Sequence, residues 1–332
     1  MGDTESFALD VSGDGRTVVG RSSVQTQMGR IETPFLWTRS AGILALGPSG
    51  GRANATNSDG SVVVGATAAG RLFRWTAGKN AVDLGIQLDA GSSIKADTSD
   101  DGALVVGYST AGPVVSAFRW TAKSGVMEAL DASITSVVGV SRDGTLLVGS
   151  RKMSNGQVAA FRWTQGTGFV DLAPSGSTET HAQAMTSDAQ VVLGWGMFGG
   201  ARQLFRWLVS SSTTDFIGIP PAIADATVYI RAMSDLPQMF ACYTVPTAAE
   251  HVTDEDSLER LGTACLGHAQ PASAPRGSPS ISMLADTLIN LGVNLSGWQL
   301  TRTAAIASDG KIVVGNGIDP AGHSQAWIAR LP

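Results

Sequence analysis

Ser141-Arg-Asp-Gly-Thr-Leu-Leu-Val-Gly149 is the clearest copy of a nine-residue unit that recurs along the chain. Asp-Gly is the dipeptide most typical of a tight hairpin turn, and the apolar run after it is typical of a strand. The unit therefore predicts a β-hairpin repeated at a regular interval. Further copies begin at Ser12, Asn57, Ser99 and Ala307, and a weaker copy begins at Thr186.

A second motif, Phe-Arg-Trp, follows most hairpins and marks a third strand. Ala160-Phe-Arg-Trp163 is the copy that belongs to the hairpin quoted above, and a fourth short strand of the type Ala81-Val-Asp-Leu-Gly85 comes next. Four short antiparallel strands repeated about every 45 residues are the signature of one blade of a β-propeller. The fold class predicted is therefore all-β.

Each blade is expected to have one turn aspartate, so these aspartates give the number of blades. They predict a seven-bladed β-propeller that forms one domain over residues 1–332. A degenerate sixth blade is expected between Asp188 and Asp309, with its first strands over 231–235 and 238–245. Six blades with an irregular excursion are the alternative. The turn aspartates are Asp14, Asp59, Asp101, Asp143, Asp188 and Asp309.

The sixth blade departs from the repeat at the turn and in the second strand. Asp235 is interpreted as its turn aspartate, with Leu236 in place of the turn glycine and Ala241 in place of the strand-two glycine. The seventh blade shows only three strands before Pro332. Residues 2–7, or a segment upstream of the first residue, are expected to complete its sheet, because such closure removes an exposed edge.

Residues 246–292 interrupt the repeat and are predicted to form an insertion with short helices, one capped by Thr253 and one over 281–291. The insertion carries most of the net charge of −5. Because function often lies where a repeat is broken, we hypothesise that a partner binds there. The candidate binding residues are Glu250, His251, Asp254, Glu255, Asp256 and Glu259.

The aromatic residues of the third strands are interpreted as core between blades, because Phe and Trp two residues apart point to one face. The arginine between them points to the opposite face. It is predicted to meet an acid or backbone carbonyls in the same way in each blade, since an unpaired buried guanidinium is costly. An exposed sugar-stacking row and a ring of binding arginines are the alternatives. The structural residues are Arg74, Arg119, Arg162 and Arg206, with Trp75, Trp120, Trp163 and Trp207.

Composition and motifs argue against several functional classes. The acidic net charge makes nucleic acid an unlikely partner, and no apolar stretch is long enough to span a membrane. The four histidines show no metal-ligand spacing, so no metal is assigned. No cofactor motif and no matched nucleophile, base and acid can be identified, so no catalytic residue is assigned.

The combined pattern resembles the bacterial extracellular repeats called the HAF family. The best match joins 141–149 to 160–164, and the resemblance covers most of the chain outside 220–280. It implies a secreted or cell-surface bacterial protein and no shared activity. In such a protein Cys242 and Cys265 are expected to form a disulfide, worth about 3 kcal/mol in the chain-entropy model. Two buried free thiols are the alternative.

These observations favour an extracellular propeller that acts as a binding or display module for a protein or a glycan. Two other classes stay open. One is a carbohydrate-active enzyme, a lyase or a glycosidase, with carboxylates at the funnel of the propeller. The other is a structural component of a surface assembly or virion.

Overall fold

The computed structural model describes residues 5–27, 29–47, 50–87, 93–111, 114–235, 239–247, 260–269 and 281–332. Within these ranges the strands form seven antiparallel sheets, six of four strands and one of three, each in chain order. The predicted seven-bladed β-propeller is confirmed, and the six-blade alternative is excluded. None of the described helices is long and apolar enough to cross a membrane.

Each blade runs from an inner first strand to an outer last strand. Blades one to four comprise β1 (Glu5–Val11), β2 (Thr17–Thr26), β3 (Gly29–Thr38), β4 (Gly42–Ala45); β5 (Gly51–Thr56), β6 (Val62–Thr67), β7 (Arg71–Thr76), β8 (Val82–Gln87); β9 (Ser93–Thr98), β10 (Leu104–Ala111), β11 (Val114–Thr121), β12 (Met127–Ala129); and β13 (Ile134–Val140), β14 (Leu146–Lys152), β15 (Val158–Thr164), β16 (Gly168–Leu172). Blades five to seven comprise β17 (Ser177–Met185), β18 (Val191–Phe198), β19 (Ala201–Leu208), β20 (Thr213–Ile217); β21 (Ala226–Met233), β22 (Met239–Pro246), β23 (Thr263–His268), β24 (Ile281–Met283); and β25 (Gln299–Ile306), β26 (Ile312–Ile318), β27 (Ser324–Arg330).

The segment predicted to be an insertion supplies part of blade six. Its residues 263–268 and 281–283 are the third and fourth strands of that blade, paired in order with β22. The helix expected over 281–291 is shorter, because the residues before Leu284 pair as a strand; it is α1 (Leu284–Asn290). A short 3-10 turn, Pro221–Ile223, precedes β21. The helix predicted to begin at Thr253 lies outside the described residues.

The hairpin hydrogen bonds correct the alignment of blade six with the other blades. In blade four, the N–H of Ser141 donates to the carbonyl of Leu146 at 2.8 Å, and in blade six the N–H of Ser234 donates to the carbonyl of Met239 at 2.8 Å. Asp235 therefore stands one position before the turn aspartate, and its assignment as the turn aspartate is wrong. Leu236, expected at the turn glycine, lies outside the described residues.

The same register moves the strand-two glycine position of blade six from Ala241 to Cys242. Cys242 lies opposite Cys265 across the ladder, as Gly149 lies opposite Phe161 in blade four. The two cysteines form a disulfide with their Cα atoms 4.9 Å apart, so the expected bond is confirmed. The disulfide thus occupies the place that a glycine and an aromatic residue occupy in the regular blades.

The strand-two glycine is required by the aromatic ring opposite it. A Cβ atom on Gly149 would lie 2.2 Å from the carbonyl oxygen of Ser136 and 2.9 Å from the Phe161 ring. Both distances are far inside van der Waals contact, so no other residue fits without displacement of the first strand or the ring. The same cross-strand pairs are Gly20–Phe35, Gly65–Phe73, Gly107–Phe118, Gly194–Phe205 and Gly315–Trp327.

The aromatic residues of the third strands lie in the core between blades. Phe161 is 1% exposed and packs with Leu104 and Ala117 of blade three, and Trp163 lies against the same cluster. Because one sheet face meets the preceding blade, the arginine on the other face points to the following blade. Trp75, Trp120 and Trp207 pack in the equivalent clusters.

A ring of hydrogen bonds at the face that carries the turns ties each blade to the next. Most of its donors and acceptors belong to the residue that precedes the turn aspartate. The bonds are Asp14 N to Ser58 O, Ser58 N to Asp100 Oδ1, Asp100 N to Arg142 O, Arg142 N to Ser187 O, Ser187 N to Asp235 Oδ1, Asp235 N to Ser308 O and Ser308 N to Gly13 O. The ring of hydrogen bonds therefore closes from blade seven to blade one.

The junction between the last and first blades corrects the expected closure for residues 5–7, whereas residues 2–4 of the expected strand lie outside the described residues. Residues 5–7 belong to β1 and pair with β2 in blade one, so they do not supply a fourth strand to blade seven. Asn316 of β26 makes the junction instead: its Oδ1 accepts the N–H of Ala8 at 2.8 Å, and its Nδ2 donates to the carbonyl of Ala8 at 3.3 Å.

Candidate binding site in the central channel

A central cavity of about 520 Å³ is lined by the first strands of the blades. Most of these strands carry a bulge, such as the one between Ala182 and Ala184, where Gln183 has no partner position in the ladder. A bulge re-aims the extra side chain. Gln183 accepts the N–H of Ile230 in the next blade at 3.3 Å. The bulge residues Asn54 and Gln183 thus join neighbouring inner strands through their polar side chains.

Arg142 bridges the turn end of this channel. Its Nε lies 2.9 Å from Asp100 Oδ2, and its second guanidinium nitrogen lies 3.3 Å from Asp235 Oδ2 and 3.3 Å from Ser308 Oγ. These partners belong to blades three, six and seven, so the side chain spans the opening. The charge of Arg142 is shared by two carboxylates that also accept backbone N–H groups of the ring.

Two carboxyl groups line the channel beside this bridge. Asp10 accepts the N–H of Thr56 at 2.9 Å and Asp97 accepts the N–H of Val140 at 2.9 Å, so each caps the inner strand of the next blade. Burial raises the pKa of Asp10 to about 7, with a further contribution from the negative charge of Asp97. Burial likewise raises the pKa of Asp97 to about 6. Both groups titrate near neutral pH.

Farther from the turns, the channel wall is cationic and partly aromatic. Arg52, Lys95 and Arg231 lie on the first strands of blades two, three and six. Burial raises the pKa of Tyr108, and the positive charge of Arg231 acts in the opposite direction. Tyr108 belongs to blade three and Arg231 to blade six, so the two side chains approach each other across the channel.

A stack of aromatic and cationic side chains adjoins this cationic part on blades five and six. The His181 ring lies 4.2 Å from the Trp195 ring in a stacked arrangement, and its Nε2 lies 2.5 Å from Glu179 Oε1. The guanidinium of Arg202 lies 4.3 Å from the Trp195 ring and 5.7 Å from the Tyr229 ring. His181 and Trp195 also line the channel, so the stacked rings form part of its wall.

Three of the repeated arginines, Arg74, Arg119 and Arg206, contact the following blade, but their partners differ. Arg74 donates to the carbonyl of Gly102 at 2.9 Å, whereas the Arg119 guanidinium lies 5.9 Å from the Trp163 ring. Arg162 is half-buried. The expected identical pairing is therefore not found, because the neighbouring groups differ from blade to blade.

Arg206 is the most deeply buried of these arginines. Its side chain is 3% exposed, forms an ion pair with Asp215 on the adjacent strand and donates to the carbonyl of Ala269 at 2.9 Å. Ala269 belongs to blade six, so the contact joins two blades.

The candidate binding residues of the acidic insertion lie outside the described residues. The hypothesis that a partner binds to these residues therefore stays a prediction. They are Glu250, His251, Asp254, Glu255, Asp256 and Glu259. Within the described ranges, no three His, Cys, Asp or Glu side chains lie close enough together to hold a metal ion.

Sequence reasoning missed the channel carboxyls. Asp10 and Asp97 stand at a position where blades two and five have Ala55 and Ala184. A charged residue in place of a small one within the inner strand was a detectable signal. The signal is weak, because Asp10 and Asp97 occur in only two blades and belong to no repeated motif.

Comparison with known proteins identifies the fold and no family. No known family profile matches the chain, and no curated protein matches it. Among solved structures, TolB from Agrobacterium tumefaciens aligns at a TM-score of 0.54 with 12% identity over 96% of this chain and 99% of the other. Oligogalacturonate lyase from Vibrio parahaemolyticus aligns at 0.60 with 10% identity over 99% and 92%. An oligogalacturonate lyase in complex with manganese aligns at 0.59 with 11% identity over 98% and 88%.

Proposed function

We propose that this chain is a binding module that takes the end of an acidic chain, from a protein or a glycan, into its central channel. The observation that carries the proposal is the division of charge along the cavity. Carboxyl groups and the Arg142 bridge lie at the turn end, whereas Arg52, Lys95 and Arg231 lie farther from the turns. An acidic group that enters from the end opposite the turns meets these positive charges before it reaches the carboxyl groups, which favours its binding.

The disulfide supports a location outside the reducing cytoplasm, because such bonds persist in oxidising compartments. Placement outside the cell or on a bacterial surface is the finer form of this proposal. It rests on the resemblance of the repeat to the HAF family.

Titration of wild type and channel variants with a short poly-glutamate peptide and with oligogalacturonate tests the proposal. Lys95→Gln and Arg52→Gln are expected to weaken binding about tenfold, equivalent to about 1.4 kcal/mol. Lys79→Gln, on an exposed outer hairpin, is the matched control and should bind like wild type. Binding should also weaken as salt rises above about 0.15 M. Equal affinity in all four proteins would reject the channel as the site.

A lyase or glycosidase activity is the second candidate, and one observation favours it. The pKa values of Asp10 and Asp97 are raised to about 7 and about 6, in the range suited to a general acid or base. Against this, both groups already cap backbone N–H groups, which is a structural role. Formation of reducing ends or unsaturated products from polygalacturonate, abolished by Asp97→Asn, would favour the enzyme; no product at high protein concentration would reject it.

A further inference from the structure

In the part of the chain that the structure describes, no fourth strand covers the outer edge of blade seven. Among the described residues, β27 pairs only with β26, whereas the third strand of every other blade pairs with a fourth. Ala326 is half-buried, but its counterparts Ala160 and Leu204 are 0% and 2% exposed. Ile328 on the same strand is 44% exposed. The difference lies at the position that a fourth strand would cover.

A hydroxyl group in blade five shows what a fourth strand contributes at such a junction. The Thr180 hydroxyl accepts the N–H of Ala160 at 3.0 Å and donates to the carbonyl of Leu172 at 3.1 Å. It therefore joins the third and fourth strands of blade four to the first strand of blade five. Leu172 is 1% exposed, so the fourth strand also delivers an apolar side chain to this junction.

The equivalent hydroxyl exists at the junction of blades seven and one. Ser6 lies two residues before Ala8, as Thr180 lies two residues before the matching alanine of blade five. Its hydroxyl accepts the N–H of Ala326 at 3.0 Å and donates to Gln325 Oε1 at 2.7 Å. A side-chain oxygen thus stands where the carbonyl of a fourth strand stands in blade four.

Apolar surface and space also lie beyond the C-terminal end of β27, on the side of blade six. A cavity of about 530 Å³ between blades six and seven is lined by Leu266, Leu291 and Leu331, among others. Ile289 and Leu291 of the α1 segment are 55% and 47% exposed. Long open strand edges with apolar neighbours promote pairing with another chain, and proteins normally cover them.

We propose that the outer edge of β27 accepts an extended segment of a partner polypeptide, which completes blade seven as its fourth strand. The segment runs antiparallel to β27 and places a leucine or isoleucine opposite Ala326. The fourth strands of this chain define that chemistry: Leu84 and Leu172 each follow an aspartate and are 7% and 1% exposed. Main-chain hydrogen bonds supply the affinity, and the apolar side chain supplies the specificity.

The test uses a synthetic peptide with the sequence of residues 167–173, Thr-Gly-Phe-Val-Asp-Leu-Ala, added to the whole protein. The N–H groups of Ile328 and Arg330 alternate with those that pair with β26, so they face the open edge. Hydrogen exchange at these two amides should slow at least about tenfold on saturable binding, as hydrogen bonding protects amides. The same peptide with its leucine replaced by aspartate should have no effect.

Ile328→Pro removes an outward N–H group and is tolerated at an edge. This variant should keep the thermal unfolding midpoint of wild type but lose peptide binding. Two results would overturn the proposal. One is that the peptide leaves both amides unchanged at millimolar concentration. The other is that both amides are already protected in the free protein, because residues of this chain outside the described ranges would then cover the edge.

Discussion

Blade four and blade six place different residues at the same position of the same sheet. In blade four Gly149 lies beneath the ring of Phe161, and in blade six Cys242 is bonded to Cys265. Both pairs join strand two to strand three and both face the preceding blade. The position therefore requires a close apolar contact between the two strands. A glycine beneath an aromatic ring provides it in blade four, and a disulfide provides it in blade six.

The aromatic volume in blade six moves to the neighbouring strand. Phe240 is fully buried on strand two, opposite Gly267 on strand three, and a Cβ atom on Gly267 would lie 1.9 Å from the Phe240 ring. A ring against a glycine is thus retained, with the two strands exchanging roles. The motif Phe-Arg-Trp is absent from blade six, yet the packing that the motif serves is present.

Removal of the disulfide should have the largest effect on this comparison. Cys242→Ala with Cys265→Ala is expected to lower the free energy of unfolding by about 3–4 kcal/mol, from the lost loop constraint and a new cavity. Urea unfolding of the double variant measures it. Reduction of the wild-type disulfide should reproduce most of the loss, and no change in stability after reduction would contradict a structural role for the bond.

The glycine of the regular blades should be nearly as sensitive. Gly149→Ala forces a Cβ atom against the Ser136 carbonyl and the Phe161 ring, so we expect a loss of about 3 kcal/mol from overpacking. Gly166→Ala is the matched control, since no atom lies within 4 Å of a Cβ atom there. Thermal unfolding distinguishes the two. Equal stability of the variants would mean that the close contact is not the reason for the glycine.

The repeated arginines of the third strands extend the comparison between blades, because the same position has a different partner in each blade. Arg206→Ala should cost about 2 kcal/mol, since it leaves Asp215 and the Ala269 carbonyl without a buried partner. Arg119→Ala should cost about 1 kcal/mol, because an aromatic face is a weaker partner than a carboxylate. Chemical denaturation of both variants under the same conditions measures the difference. The reverse order would contradict the assignment of partners.

The smallest effect concerns the channel carboxyls of blades one and three. The pKa of Asp10 is raised to about 7 in the folded protein, so the fold binds this proton more tightly than the unfolded chain does. Its contribution to stability is therefore full below about pH 4 and falls as pH rises toward 7. Asp10→Asn retains the acceptor for Thr56 N–H and should gain about 1 kcal/mol relative to wild type between pH 4 and pH 5. A difference independent of pH would contradict the raised pKa.

The repeat allowed the fold to be predicted because local signals and the sheet agree. Turn residues, strand spacing and the Phe-Arg-Trp motif each depend on neighbours within about 20 residues. One copy, such as residues 141–163, is therefore enough to predict most of a blade. The number of blades followed by counting. The disulfide followed from the resemblance, and the structure supplied its place in the ladder.

The channel could not be predicted in the same way, because it depends on contacts between blades. Arg142 meets Asp235 across 93 positions of sequence, and Asp10 meets Thr56 across 46. No local pattern distinguishes these residues from solvent-exposed charges. The register of blade six depends on such a contact too, because the carboxylate of Asp235 accepts the N–H of Ser187 in the ring between blades and does not belong to the turn.

The most direct test of the central claim is to give blade six the residues of a regular blade. If Cys242 and Cys265 stand at the glycine and aromatic positions, Cys242→Gly with Cys265→Phe should recover at least half of the stability that the two alanines lose, because burying the new ring is worth about 2 kcal/mol. The free energies of unfolding of the two double variants, measured in urea under reducing conditions, decide it. A Gly/Phe variant as unstable as the Ala/Ala variant, or less stable, would contradict the equivalence of the two positions.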